Sequence, residues 1–123
     1  MEIVSKLLIA LVALEHVYIL VLEMFLWTTP RTRRSFGTTE DFAQASKTLA
    51  ANQGLYNGFL AAGLVWSLLH PDPNVAHQIG LFFLACVLVA GVYGGLTVKR
   101  SILLIQGLPA LLALIALLVA SSV

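Results

Sequence analysis

Ile3 to Leu26 reads IVSKLLIALVALEHVYILVLEMFL, and this stretch decides the fold class. Its apolar residues run on without alternating with polar ones. It exceeds the roughly 20 residues that a helix needs to cross the hydrocarbon of a bilayer. A transmembrane β-strand would alternate apolar and polar positions, which excludes a β-barrel reading. A water-soluble amphipathic helix would keep a broad polar face, and this stretch has little of one. Three more runs of the same kind follow, at about Leu49–Leu69, Ile79–Val98 and Ile102–Val119. Together they predict an all-α fold, a four-transmembrane-helix antiparallel bundle. A single integral membrane domain would cover 1–123, with helices at about 3–26, 49–69, 79–98 and 102–119.

Composition points the same way. Of 123 residues, 59% are hydrophobic and 11% charged, against roughly 25% charged in a soluble domain. So much apolar surface excludes intrinsic disorder. A formal net charge of +1 gives no basic footprint, so nucleic acid is not an expected partner. The lone cysteine, Cys86, excludes an internal disulfide and a Cys-rich metal site, and it reads as a packing residue. The first span is too long for the apolar core of a signal peptide and carries Glu15, His16 and Glu23, so it is expected to be retained.

Loop charges orient the spans. Arg31, Arg33, Arg34 and Lys47 flank the first loop, and Lys99 and Arg100 make most of the third. The second loop, His70 to Gln78, has Asp72 and neither Lys nor Arg. The positive-inside rule makes loops one and three cytoplasmic and puts both termini on the non-cytoplasmic side, with only Lys6 opposing. Pro30 ends the first helix. Thr38 with Asp41 has capping-box spacing, so helix two is expected to start near Thr39 and continue to Leu69. Asp72 and Pro73 read as the cap and first residue of helix three. Gly54/Gly58 and Gly91/Gly95 have the four-residue spacing that lets helices approach closely. Pro109 interrupts helix four and frees a carbonyl near Ile105.

The polar residues inside the spans share a depth. Counted inward from the cytoplasmic ends, Glu23, Asn52, Gln53, Tyr56, Asn57, Tyr93 and Gln106 form one layer, with Glu15 and His16 near mid-membrane. His16 and Glu23 are seven apart, nearly two turns, and so share a stripe. Asn52, Gln53, Tyr56 and Asn57 make one broad polar face on helix two. Lipid is a poor neighbour for such a face, so it is expected to turn toward helix one. Glu15 is the costliest choice, since an acid at a helix centre costs about 2.5–3.5 kcal/mol. It escapes by protonation, by pairing with a histidine or by facing water.

Glu15, His16 and Glu23 are therefore the candidates for acid/base chemistry. Asn52, Gln53, Tyr56, Asn57, Tyr93 and Gln106 are the candidates for ligand binding. No H-E-x-x-H, G-x-S-x-G or phosphate-loop pattern occurs. No metal and no cofactor are expected. His70 and His77 read as ordinary residues of the outer loop.

The chain resembles a family of small bacterial integral membrane proteins, also found in fungi, that is catalogued as a domain of unknown function. The resemblance rests on Glu15-His16, Glu23-Met24-Phe25-x-Trp27, Phe36-Gly37, Asn52-Gln53-Gly54-x-Tyr56-Asn57-Gly58, Gly91-x-Tyr93-Gly94 and Gln106-Gly107-x-Pro109, and covers almost the whole length. It implies a four-helix protein of the bacterial cytoplasmic (inner) membrane and brings no activity with it. Small multidrug exporters are also similar in length and carry a glutamate in helix one, as Glu15 stands here. They lack the long basic first loop and the polar helix-two face.

Three readings follow. In the first, a polar pocket in the cytoplasmic half binds a membrane lipid or other small lipophilic molecule and supports acid/base chemistry. The second is proton-coupled export through Glu15, which calls for a homodimer. The third is a noncatalytic interaction protein whose polar layer only specifies packing.

Overall fold

Helix ends fall where the sequence supplies caps and prolines. The computed structural model describes residues 2–121; Met1, Ser122 and Val123, which the expected domain includes, lie outside them. The elements are α1 (Glu2–Met24), α2 (Pro30–Phe36), α3 (Glu40–Ala45), α4 (Lys47–Leu69), α5 (Pro73–Thr97), a π-helical segment (Leu103–Gly107) and α6 (Leu108–Ser121). Three helical stretches are long and apolar enough to cross a membrane: Glu2–Met24, Pro73–Thr97 and Leu103–Ala120. The protein is an all-α integral membrane protein. α4 has 23 residues, about 35 Å of helix, but Asn52, Gln53 and Asn57 make it less apolar than the other three.

Asp72 caps α5 as its side chain dictates. Its Oδ1 accepts the N–H groups of Asn74 at 2.9 Å and Val75 at 3.4 Å, and Pro73 takes the first helical position. The first connection departs from expectation. α1 stops at Met24, and Pro30 opens a new short helix, with Thr29 as its N-cap. Proline suits a first turn because the N–H it lacks would be unpaired there. Gly37 closes α2 in the left-handed region, φ 69°, where a Cβ would be strained.

The next cap is Thr39, not Thr38: Thr39 Oγ1 accepts the N–H of Phe42 at 3.2 Å. The single helix expected from Thr39 to Leu69 is divided at Ser46, whose backbone leaves helical geometry (φ −99°, ψ 5°). Its hydroxyl donates to the Phe42 carbonyl at 2.6 Å and accepts from Trp27 Nε1 at 3.0 Å. A serine bonded back to the preceding turn and held by a distant indole competes with helix continuation.

The packing divides into two compact units. One comprises Met1–Leu14 with Leu60–Val123. Its core is Ile9, Val12, Ala13, Leu64, Leu84, Val87, Ala110, Ala113 and Leu117. Within it the backbone of Gly91 lies against Gly107: a Cβ on Gly91 would sit 2.8 Å from the Gly107 nitrogen. The π-helical segment sits where proline predicts a break. Pro109 has no N–H for the Ile105 carbonyl and its ring crowds that carbonyl. The helix widens instead, and the Leu108 N–H donates to Leu103 O, five residues back.

The second unit is Glu15–Phe59. It holds the later half of α1, the helices α2 and α3, and the earlier half of α4. Ala43, Ala50 and Thr32 are buried in it. Trp27 meets Phe36 edge-on at 4.9 Å between ring centroids.

Candidate functional site

Two glycines on α4 set the distance to α1. A Cβ on Gly54 would lie 2.7 Å from Met24 Cγ and 3.0 Å from Glu23 Cβ, and one on Gly58 would lie 2.6 Å from Leu20 Cδ1. With no side chain at either position the two helices close on each other. That approach brings Asn57 to Glu23. Asn57 Nδ2 donates to Glu23 Oε1 at 2.6 Å and makes a longer bond to the Gln53 carbonyl at 3.3 Å. Glu23 is 3% exposed and Asn57 half-buried. A buried carboxyl is thus held by an amide from a segment 34 residues away.

His16 is 1% exposed and lies seven residues before Glu23 on the same helical stripe. Glu15 is half-buried, and its Oε1 is enclosed without a hydrogen-bond partner among the described residues. Of the polar face on α4, Asn57 reaches α1, whereas Asn52, Gln53 and Tyr56 are exposed. Tyr56 packs edge-on against Phe59 at 5.6 Å between ring centroids. In the first unit Tyr93 is exposed on α5, and Gln106 is half-buried within the π-helical segment.

Chemically, Glu23 and Asn57 offer a carboxyl and an amide in apolar surroundings, with two more amides and a phenol on the turns beside them. Such a group can accept or donate to the polar head of an amphiphile, or exchange a proton with it. Among the described residues no three His, Cys, Asp or Glu side chains are grouped to hold a metal ion.

Two further features escaped the sequence reading. The first is α2, which turns a basic loop into a helical face; Thr29-Pro30 was its signal. The second is a cleft of about 430 Å³ in the first unit, lined among others by Lys6, Ser67, His70 and His77. The sharp Pro71-Asp72-Pro73 turn brings those two histidines to its rim.

The model of the family described as "Protein of unknown function (DUF1304)" matches residues 10–118. The "Uncharacterized protein YpaA" of Lactococcus lactis subsp. lactis (strain IL1403) is 36% identical over 118 residues, covering 94% of this chain and 98% of the relative. No solved structure matches. Three membrane-length helices and a bacterial relative fit the bacterial cytoplasmic membrane expected from the sequence. With a match over most of its length and a relative aligned nearly end to end, the chain belongs to the DUF1304 family of integral membrane proteins.

Proposed function

We propose that the protein binds a small lipophilic molecule in the cytoplasmic half of the membrane, with its polar head at Glu23 and Asn57. The observation that carries this reading is the 2.6 Å bond between these two side chains. Glu23 lies in a membrane-crossing helix and is almost fully enclosed. A carboxyl there is expensive and is retained for a role that an apolar residue would not serve. Asn52, Gln53 and Tyr56 supply further hydrogen-bonding groups at the mouth of the site. If chemistry follows binding, Glu23 is the acid or base nearest the head, with His16 behind it on the same stripe.

The same bond supports α4 as a fourth membrane span. On this reading Asn57 shares the depth of Glu23 and α4 runs beside α1 within the membrane. Four spans, read with the basic first and third connections, put both termini on the non-cytoplasmic side.

The test is direct. Full-length protein is purified in mild detergent, and co-purifying small molecules are extracted and identified by mass spectrometry. The expected result is a lipophilic species with a polar head on the wild-type chain that is reduced at least tenfold in Glu23→Gln and Asn57→Leu. Equal retention by variants of unchanged helicity refutes the site.

Proton-coupled export is a second reading, favoured by the unpartnered Oε1 of Glu15. A carboxyl oxygen enclosed in a span with no hydrogen-bond partner among the described residues suits proton-for-substrate exchange. Uptake of a hydrophobic cation into proteoliposomes under a pH gradient, abolished by Glu15→Gln, would establish it. Uptake independent of Glu15 removes the mechanism.

A further inference from the structure

α2 divides its three arginines between two tasks. Arg33 turns back on its own connection: Nε donates to the Thr28 carbonyl at 3.2 Å, and the residue is half-buried. Arg31 and Arg34 are exposed and, three apart, share a face of the helix. Neither side chain has a hydrogen-bond or ion-pair partner among the described residues; the ion pair there is Lys6–Glu2. Together with Ser35 they border a shallow, open cleft at the surface. Glu40 and Asp41, in the first turn of α3, do not line it.

The depth of this cleft follows from the chain around it. α1 crosses the membrane and ends at Met24, and α2 starts at Pro30. The link between them is wound tight, with the Thr29 N–H donating to the Leu26 carbonyl at 3.1 Å. Trp27 packs against Phe36, with exposed Phe25 close by in sequence, and an indole at the end of a span suits the membrane–water boundary. Two uncompensated guanidinium groups beside exposed aromatic rings at that boundary suit an anion with an apolar tail.

We propose that Arg31 and Arg34, with Ser35 beside them donating to the Arg31 carbonyl at 3.2 Å, form an interfacial site for the phosphate of an anionic phospholipid headgroup. The site is separate from Glu23 and Asn57 and does not depend on how many spans the chain makes. Arg33 is turned back on the Thr28 carbonyl and takes no part in the contact.

Full-length protein in detergent micelles is titrated with dioleoyl phosphatidylglycerol or dioleoyl phosphatidylcholine, and bound lipid is counted by native mass spectrometry. The expected result is a preference for the anionic lipid, reduced about fivefold by Arg31→Gln or Arg34→Gln and about 25-fold by both together. Arg33→Gln leaves the preference unchanged. The double Lys variant, which keeps the charge, retains most of the preference and shows that the loop still folds.

Equal binding of the two lipids overturns the proposal, as does a double Gln variant that binds like the wild type. An Arg33→Gln loss as large as that of Arg31→Gln, at unchanged helicity, overturns the division of roles. A double Lys variant that loses as much as the double Gln variant overturns the charge-based reading. Displacement of phosphatidylglycerol by inorganic phosphate at about 10 mM assigns the site to free phosphate and overturns the lipid as its occupant.

Discussion

Removing the amide from Asn57 tests whether the Glu23 carboxyl depends on it. In Asn57→Ala, Glu23 Oε1, on a residue that is 3% exposed in the wild-type chain, loses its 2.6 Å donor. Two measured scales bracket the cost. Hydrogen bonds between membrane helices average about 0.6 kcal/mol and reach about 1.7. Bonds to charged groups are worth about 1.5–3 kcal/mol. The bond is short and its acceptor is enclosed, which argues for the upper part of the first range. Asn57 is only half-buried, so water or a headgroup can partly replace it, which argues against the top of the second. A coupling of about 1–2 kcal/mol follows.

The assay is a double-mutant cycle of Glu23→Ala, Asn57→Ala and the pair. Unfolding is followed by circular dichroism as the mole fraction of dodecyl sulfate rises in mixed micelles. The double variant should be less damaged than the sum of the singles by that coupling. Asn57→Asp should cost more than Asn57→Ala, because it sets a second carboxyl where the donor was. Additivity within about 0.3 kcal/mol would mean that the two side chains do not interact in the folded chain.

Gly91→Ala should destabilise by about 1–3 kcal/mol, because its Cβ would meet backbone atoms of Gly107 at 2.8 and 2.9 Å. Gly94→Ala should cost less, since the nearest atom is Ile102 Cγ2 at 3.2 Å, a side chain that can turn away; the same unfolding assay ranks the two. Asp72→Ala removes the α5 cap and should cost about 1 kcal/mol, with Asp72→Asn close to neutral in thermal melts. Thr39→Cys and Asn74→Cys, each with Cys86→Ser, should label with a membrane-impermeant maleimide from opposite sides. Labelling of both from one side would remove α4 as a span.

Features that depend on neighbours in sequence were legible. Asp72-Pro73 specifies a helix start through bonds to N–H groups two and three residues on, and the structure has that start. Pro109 predicts a break at Ile105, because ring and carbonyl are four residues apart, and the helix widens there. The misplacement of the cap at Thr38 has a local cause as well. Thr38 and Thr39 offer the same hydroxyl, and the Gly37 turn decides which one meets the helix. The break at Ser46 was not legible, because Trp27 Nε1, 19 residues away, holds the serine hydroxyl.

By itself the sequence determined a membrane protein of apolar helices, the capped start of α5, the proline-induced break and the family. Each rests on local chemistry: the length of an apolar run, a side chain bonding its own backbone, a ring that cannot donate. Desolvation makes lipid a poor neighbour for the polar face Asn52, Gln53, Tyr56 and Asn57, but it does not say which of them finds a partner. Only the tertiary structure decided that Asn57 meets Glu23 while Asn52, Gln53 and Tyr56 stay exposed, and that Arg33 turns inward while Arg31 and Arg34 face out. The first choice depends on how closely two backbones approach at Gly54 and Gly58, and no local rule contains that distance; the second depends on how the connection after Met24 folds back to bring the Thr28 carbonyl to Arg33.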